Sequence, residues 1–254
     1  MEFKDKHAIV TGGANAIGRC VAEIFLRESA AVTIIDTDEQ AGESLQSRYE
    51  NLHFFPGDIA EKTILENFVN SLNNNPVNCL INNACIGCGG LLSGCSYEEF
   101  EYVQRIGVTA PYYLTSLLLQ KKLLAPNAAI INIASTRANQ SQPNTEPYSA
   151  AKGGVISLTH AMAISLAGKA RVNSISPGWI DTAAYHENAE IPNHSDQDHR
   201  QHPAGRIGTP EDIAEMILYL CSDKAAFIAG ENITIDGGMS RLMVYHNDNG
   251  WKLE

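Results

Sequence analysis

Apolar residues fall along this chain in short β-rich runs that alternate with stretches of helical spacing. His7-Ala8-Ile9-Val10-Thr11 is the first run. Ile17, Val21, Ile24 and Phe25 then recur three and four positions apart, which predicts a strand followed by an amphipathic helix. Ala31 to Asp36 predicts a second strand, Leu52 to Phe55 a third and Val77 to Asn82 a fourth, with a helix from about Glu61 to Leu72 between the last two. Helical stretches follow between Tyr97 and Leu124. Ile130-Ile131-Asn132-Ile133-Ala134-Ser135 is apolar at nearly every position, the pattern of a parallel strand buried on both faces. A helix then opens near Glu146, where Thr145 is placed to cap it and Pro147 suits a first turn in which a missing N–H costs nothing. Arg171 to Thr182 predicts a strand running into a rigid Pro177-Gly178 turn. Thr209-Pro210-Glu211-Asp212 starts another helix, with Ile213, Ile217 and Leu220 on its apolar face, and Ile233 to Asp236 is a last strand. This alternation predicts an α/β fold, a doubly wound parallel sheet with helices on both faces. Neither a repeat nor a linker divides the chain, so residues 1–254 are expected to form a single domain.

Composition narrows the function. A chain of 254 residues, 44% hydrophobic, buries roughly 70–75% of the surface its unfolded form exposes. The formal charge of −11, from 18 basic and 29 acidic residues, argues against nucleic acid and anionic membranes and for a small-molecule ligand. No apolar run reaches the length of a membrane span, and Met1 to Lys6 lacks the apolar core of a signal peptide, so a cytoplasmic location is expected. The six cysteines lie mostly in regular segments and are expected to be reduced thiols. Cys85 and Cys88 form a C-x-x-C followed by Cys95, but no second C-x-x-C or close histidine pair completes a zinc set, and no metal is expected.

Candidate chemistry collects at the ends of the predicted strands. Between the first strand and helix, Thr11-Gly12-Gly13-Ala14-Asn15-Ala16-Ile17-Gly18 is a turn whose glycines permit a tight bend and aim a helix N-terminus at a diphosphate. Asp36 ends the next strand at the position that binds ribose hydroxyls. A carboxylate there repels a 2′-phosphate, and neither Asn15 nor Thr37 supplies a compensating cation, which favours NAD over NADP. Asp58 follows the third strand, where an acid could meet an adenine amino group, and Asn82-Asn83-Ala84 closes the fourth; both also suit local turns. Tyr148 and Lys152 lie four residues apart and share one helix face. For Tyr148 to act as a base near neutrality its pKa must fall by roughly 2 from about 10, at about 1.4 kcal/mol each, which Lys152 and a cationic cofactor ring are expected to supply together. A lone pair at this spacing is more often ordinary helix surface; what favours chemistry is Ser135, a hydroxyl at a strand end thirteen residues upstream of Tyr148, suited to hold a substrate oxygen. Residues 183–205 are polar, carry four of the eight histidines, and are expected to form a substrate loop or lid.

With these motifs assembled, the chain resembles the short-chain dehydrogenase/reductase family in its compact form of about 250 residues, over essentially its whole length. Thr11 to Gly18 is similar to the family's T-G-x-x-x-G-x-G turn, Asn82-Asn83-Ala84-Cys85 to its N-N-A-G, and Tyr148 to Lys152 to its Y-x-x-x-K, with Ser135, Pro177-Gly178, Thr182 and Asp236-Gly237-Gly238 at matching places. The resemblance implies a seven-stranded parallel sheet, hydride transfer linked to NAD(P) at an alcohol or carbonyl carbon, and a homotetramer. It implies Tyr148 as acid/base, Lys152 tuning it and orienting ribose, and Ser135 holding the substrate oxygen. The cofactor would lie against Gly12, Asn15, Ala16, Ile17, Gly18, Asp36, Asp58, Ile59, Asn83, Ala84, Tyr148, Lys152, Pro177, Gly178, Ile180 and Thr182. The expected activity is oxidation of a secondary alcohol or reduction of its ketone; reduction of a 3-oxoacyl thioester, or a dinucleotide-binding protein without turnover, are the alternatives. Three positions depart from the pattern. Ala16 replaces the turn's second glycine, Cys85 replaces the last glycine of N-N-A-G, and Gly107 stands where relatives carry the asparagine of the proton relay. Glycine also disfavours helix continuation, by about 1 kcal/mol relative to alanine, so the chain is expected to open at 107, with asparagine there keeping or raising activity and alanine lowering it.

Overall fold

The computed structural model describes residues 3–187, 190, 192–243 and 245. Strands and helices follow one another as β1 (His7–Thr11), α1 (Ala16–Arg27), β2 (Ala31–Asp36), α2 (Glu39–Arg48), β3 (Leu52–Pro56), α3 (Lys62–Ser71) and β4 (Val77–Asn82). The second half contains α4 (Tyr97–Gln104), α5 (Ala110–Gln120), β5 (Leu124–Ile133), α6 (Glu146–Ser165), β6 (Ala170–Pro177), α7 (Asp196–Arg200), α8 (Pro210–Cys221) and β7 (Asn232–Ile235). All strand pairs are parallel, in the order β3-β2-β1-β4-β5-β6-β7.

Adjacent residues of each central strand feed opposite layers, as the two-residue period of a strand requires. Val10, Ile34, Ile81 and Ile131 lie in register and face the layer holding Val21 and Phe25 of α1 and Ile213 and Ile217 of α8. Their neighbours Ile9, Ile35, Leu80 and Ile130 face Phe68 of α3, Leu114 and Leu118 of α5 and Met162 of α6. Both faces are therefore covered, which explains why the strands are apolar without alternation.

Three local features depart from the sequence pattern. Helix α2 carries no strong apolar stripe, since only Ala41, Gly42 and Leu45 of it are buried, and nothing in the pattern announces it. Strand β5 begins at Leu124, six residues before the apolar run, because its register shifts around Pro126 and Asn127. Thr145 occupies the N-cap position of α6 but does not cap it; its hydroxyl donates to the Gln142 carbonyl at 2.8 Å, while Pro147 does sit in the first turn.

Candidate active site

The strand order reverses direction between β1 and β4, and the crevice beyond the strand ends there is where open α/β sheets hold ligands. A cleft of about 480 Å³ lies over it. Gly12, Asn15, Ala16 and Ile17 line it from the first turn, Asp36, Asp58, Ile59, Asn83 and Ala84 from the ends of the next strands, and Ser135, Tyr148, Lys152, Pro177, Gly178, Ile180 and Thr182 from the far side. Gly18 does not line it. A Cβ on Gly18 would lie 1.9 Å from the Gly12 carbonyl oxygen and 2.6 Å from Asn83 Nδ2, so this glycine lets α1 approach the turn. Asn83 has a scaffold role as well: its side-chain amide donates to the Thr11 and Gly12 carbonyls, both at 3.0 Å, while Thr11 Oγ1 accepts from the Asn83 and Ala84 N–H groups. The β1 turn is thereby buckled to β4.

Asp36 accepts from the backbone N–H of Ala14 at 3.0 Å and of Asp38 at 3.1 Å, which fixes its carboxylate and leaves lone pairs toward the cleft. Asp38 caps α2 through the Ala41 N–H and accepts from Asn15 Nδ2 at 2.8 Å, so a second carboxylate stands beside the first. The sequence signal for it is an ordinary N-cap, Asp38 before Glu39. Arg48, the cation at the far end of α2, is held by Glu187 at 2.6 Å. Asp58 has a partner of its own: it accepts from the Ala60 N–H at 2.8 Å and from the Tyr102 hydroxyl at 2.7 Å. That carboxylate, with burial, pushes the Tyr102 pKa up to about 12, so an adenine amino group would share Asp58 with Tyr102. Ala16 sits at φ +54, in the left-handed region, so the departure from glycine strains the turn as well as adding a methyl to the cleft.

These residues fit a dinucleotide. A fixed carboxylate stands at one end, the N-terminus of α1 in the middle, and a buried lysine at the other end. Lys152 is 2% exposed and donates to the Ile133 carbonyl at 2.6 Å, leaving two of its three N–H groups. Its ammonium lies 5.4 Å over the Tyr148 ring rather than at the phenol oxygen. Tyr148 is half-buried, and its pKa is pushed up to about 12, first by burial and then by the neighbouring Cys85 thiol. The groups pulling it down are the Ser135 hydroxyl and the Arg137 guanidinium. The chain's own groups therefore hold Tyr148 as a neutral phenol. The expected lowering by Lys152 is not the dominant effect, because the ammonium stands over the ring face.

Helix α6 is seated on buried polar groups. Asn82 donates to Asn132 at 2.8 Å, Asn132 to the Thr159 hydroxyl at 2.9 Å, and Gln104 of α4 to the Pro147 carbonyl at 2.8 Å. Between α4 and α5 the helix does open, as a π turn over Arg105–Thr109 in which the Ala110 N–H reaches back to the Arg105 carbonyl. Gly107 is buried at its centre, and a Cβ there would lie 2.8 Å from Ala151 Cβ on α6. Asparagine is therefore not freely accommodated at 107 in this chain, which corrects the expectation from the sequence.

On the other side of Ser135 and Tyr148 a second cavity of about 880 Å³ is walled by Arg137, Gln140, Gln142, Thr145, Trp179 and Gln201, among others. The 183–205 segment begins with a 3-10 turn, Ala183–Tyr185, and includes α7; residues 188, 189 and 191 of it lie outside the described residues. His194 bonds Asp181 at 2.8 Å and meets the Trp179 ring edge-on, and His202 is buried beside the same ring. Among the described residues no group of histidine, cysteine or acidic side chains is arranged to hold a metal. All six cysteines are free, with Cys88 Sγ 3.7 Å from Cys95 Sγ. No helix of the described residues is long and apolar enough to cross a membrane.

Comparison with known proteins agrees with this geometry. Residues 12–240 match a family model described as enoyl-(acyl carrier protein) reductase. An uncharacterized oxidoreductase of Thermotoga maritima is 41% identical over 96% of this chain and 99% of its own length. A 3-oxoacyl-[acyl-carrier-protein] reductase of Chlamydia trachomatis is 31% identical over 93% and 98%. Among solved structures, an apo SCOR enzyme from Clostridium thermocellum superposes with a TM-score of 0.90 at 41% identity, covering 98% of both chains. A Brucella melitensis structure described as a short-chain dehydrogenase/reductase, glucose/ribitol dehydrogenase, has a TM-score of 0.85 at 27% identity, covering 96% of this chain and 99% of its own.

Proposed function

The chain belongs to the short-chain dehydrogenase/reductase family, an oxidoreductase family that uses NAD(P)(H), and on that premise we propose that it interconverts a secondary alcohol and its ketone with NAD as cofactor. The observation that carries this reading is the convergence of Ser135, Tyr148 and Lys152 on one end of a cleft whose other end is Asp36. When bound, the nicotinamide supplies the hydride acceptor for the alcohol carbon, or the donor for the ketone. Ser135 holds the substrate oxygen, and Tyr148 takes the hydroxyl proton during oxidation or returns it during reduction. Lys152, anchored by the Ile133 carbonyl, has two N–H groups left and would hold the ribose with them. Its charge and that of the oxidised nicotinamide offset the burial that otherwise keeps Tyr148 neutral.

NAD rather than NADP is part of the proposal: Asp36 lines the cleft and Asp38 stands beside it, two carboxylates that would repel a 2′-phosphate, and the Arg48 guanidinium is engaged by Glu187. A second reading, reduction of a 3-oxoacyl thioester, is supported by the chlamydial relative, which is described as a 3-oxoacyl-[acyl-carrier-protein] reductase. A dinucleotide-binding protein without turnover remains the contrasting case, because Gly107 replaces the relay asparagine. The reading includes a cytoplasmic homotetramer. Val155 and Met162 are buried in the monomer, whereas Ile164 and Phe227, 80% and 103% exposed, are among the apolar side chains left for such contacts.

The test is to follow NADH absorbance while the protein meets NAD with polyols, sugars and hydroxysteroids, and NADH with ketones and a 3-oxoacyl thioester. Alcohol or ketone turnover with higher kcat/KM for NAD than NADP is expected. Tight NADH binding without turnover of any member would favour the binding protein, and equal efficiency with NADP would refute the role given to Asp36.

A further inference from the structure

The cavity beyond Tyr148 has an unusual charge for this chain. The protein carries a formal charge of −11, yet among the described residues the walls of that cavity contain no aspartate or glutamate and one cation, Arg137. Two residues past Ser135, Arg137 lies in the 3-10 turn Thr136–Ala138, whose geometry is set by its own N–H donating to Ser135 Oγ at 3.2 Å. One guanidinium N–H group is taken by the side-chain oxygen of Gln142. That partner is neutral, so it steadies the guanidinium without cancelling its charge. Among the described residues no carboxylate lies within ion-pair distance of Arg137, whereas Arg19, Arg48, Arg105, Arg200 and Arg206 each have one.

Arg137 is also placed on the substrate side. It lines the 880 Å³ cavity and not the cleft that runs from Asp36 to Lys152, so the dinucleotide's phosphates are not its ligand. Its charge nonetheless reaches the Tyr148 hydroxyl, where it is one of the groups favouring phenolate. A guanidinium is a planar fork of donors matched to a carboxylate, phosphate or sulfonate, and a lone unneutralised one facing a polar cavity is complementary to such a group.

Resting on the hydride-transfer reading above, we propose that Arg137 sets the specificity of this site and that the substrate is an anionic secondary alcohol or its keto form, with the negative group a few bonds from the reacting carbon. Gln140, Gln142, Thr145 and Gln201 are then available to its remaining polar groups. A charged hydrogen-bonded contact of this kind corresponds to about 10–100-fold in kcat/KM.

Matched pairs test this. The wild type, Arg137→Gln and Arg137→Lys are assayed with NAD on 3-hydroxybutyrate against 3-hydroxybutyramide, lactate against lactamide, and glycerol 3-phosphate against glycerol. The first two pairs probe a carboxylate and the third a phosphate. The wild type is expected to prefer the anionic member of at least one pair by about 10–100-fold, mainly through KM. Arg137→Gln should bring that ratio near one and Arg137→Lys should restore part of it, with thermal unfolding and NADH fluorescence reporting that the variants are folded. A change acting only through Tyr148 would move the pH profile for both members alike and leave the ratio where it was. An unchanged ratio in Arg137→Gln, or a wild type that prefers the neutral member throughout, overturns the proposal. Turnover of neutral alcohols without preference removes this inference and leaves the hydride-transfer reading; no turnover of any member removes both.

Discussion

Placing a methyl group on Gly107 should be felt at Tyr148, although the two residues belong to different helices. In Gly107→Ala the new Cβ would lie 2.8 Å from Ala151 Cβ, closer than real methyl contacts come, and Ala151 is itself 2% exposed and sits between Tyr148 and Lys152 on α6. Overpacking a buried contact costs about 1–3 kcal/mol, against which alanine's better helix propensity returns about 1. The net destabilisation is up to about 2 kcal/mol, or a fall of up to about 8 °C in Tm for a chain of this size. Turnover should fall further, because a displacement near 1 Å at the proposed catalytic pair, Tyr148 and Lys152, is worth about 100-fold. Gly107→Asn brings the same Cβ and should show the same sign. The assay is thermal unfolding at a fixed scan rate together with NAD-linked turnover, for both variants and for each combined with Ala151→Gly, which removes the opposing methyl. The double variants should recover both quantities relative to the sum of the single changes. Variants at 107 as stable and active as the wild type, or no recovery with Ala151→Gly, would show that the α4–α5 π turn does not set the position of α6.

Other sites give further expectations. Ala16→Gly removes a left-handed non-glycine residue, a strain of about 1–2 kcal/mol less the entropy glycine adds to the unfolded chain, so stability should hold or rise and NADH should bind more tightly; weaker binding by fluorescence titration would count against the strain. Cys85→Gly removes a group that raises the Tyr148 pKa. Oxidation requires phenolate and rises with pH through that pKa, so the rise in kcat/KM should move to lower pH, and an unmoved or alkaline-shifted profile would contradict the contact. The same raised pKa is a stability contribution that is complete below about pH 10, the ordinary phenol value, and is lost as pH climbs through about 12. Wild type should therefore lose Tm over that interval more steeply than Tyr148→Phe.

The sheet and its ligand edge are legible in the sequence because buried parallel strands are apolar at consecutive positions and end on residues such as Thr11, Asp36 and Asn82, or, for β5, two residues before Ser135. Helix α2 is not, because Ala41, Gly42 and Leu45 bury too little side chain to make a stripe. The sequence names most of the residues that line the cleft by type and spacing, but not their partners. Nothing local to Asp58 announces Tyr102, 44 positions away, and nothing local to Gly107 announces Ala151. Such pairs depend on how α4 lies against the end of β3 and how the π turn lies against α6, which no single segment encodes. Lys152 shows the same limit from the other side: its spacing from Tyr148 puts both on one face, whereas whether its charge meets the ring or the oxygen depends on the Ile133 carbonyl, 19 residues back in β5.

The central claim is that the Tyr148 phenol carries the proton in a hydride transfer linked to NAD. Tyr148→Phe deletes that hydroxyl while keeping the ring that lies under Lys152, so the cofactor cleft should survive. The measurement is NADH affinity by fluorescence alongside turnover of the best alcohol or ketone. Affinity close to wild type with turnover lower by orders of magnitude is the result this account predicts, and near-normal turnover would contradict it.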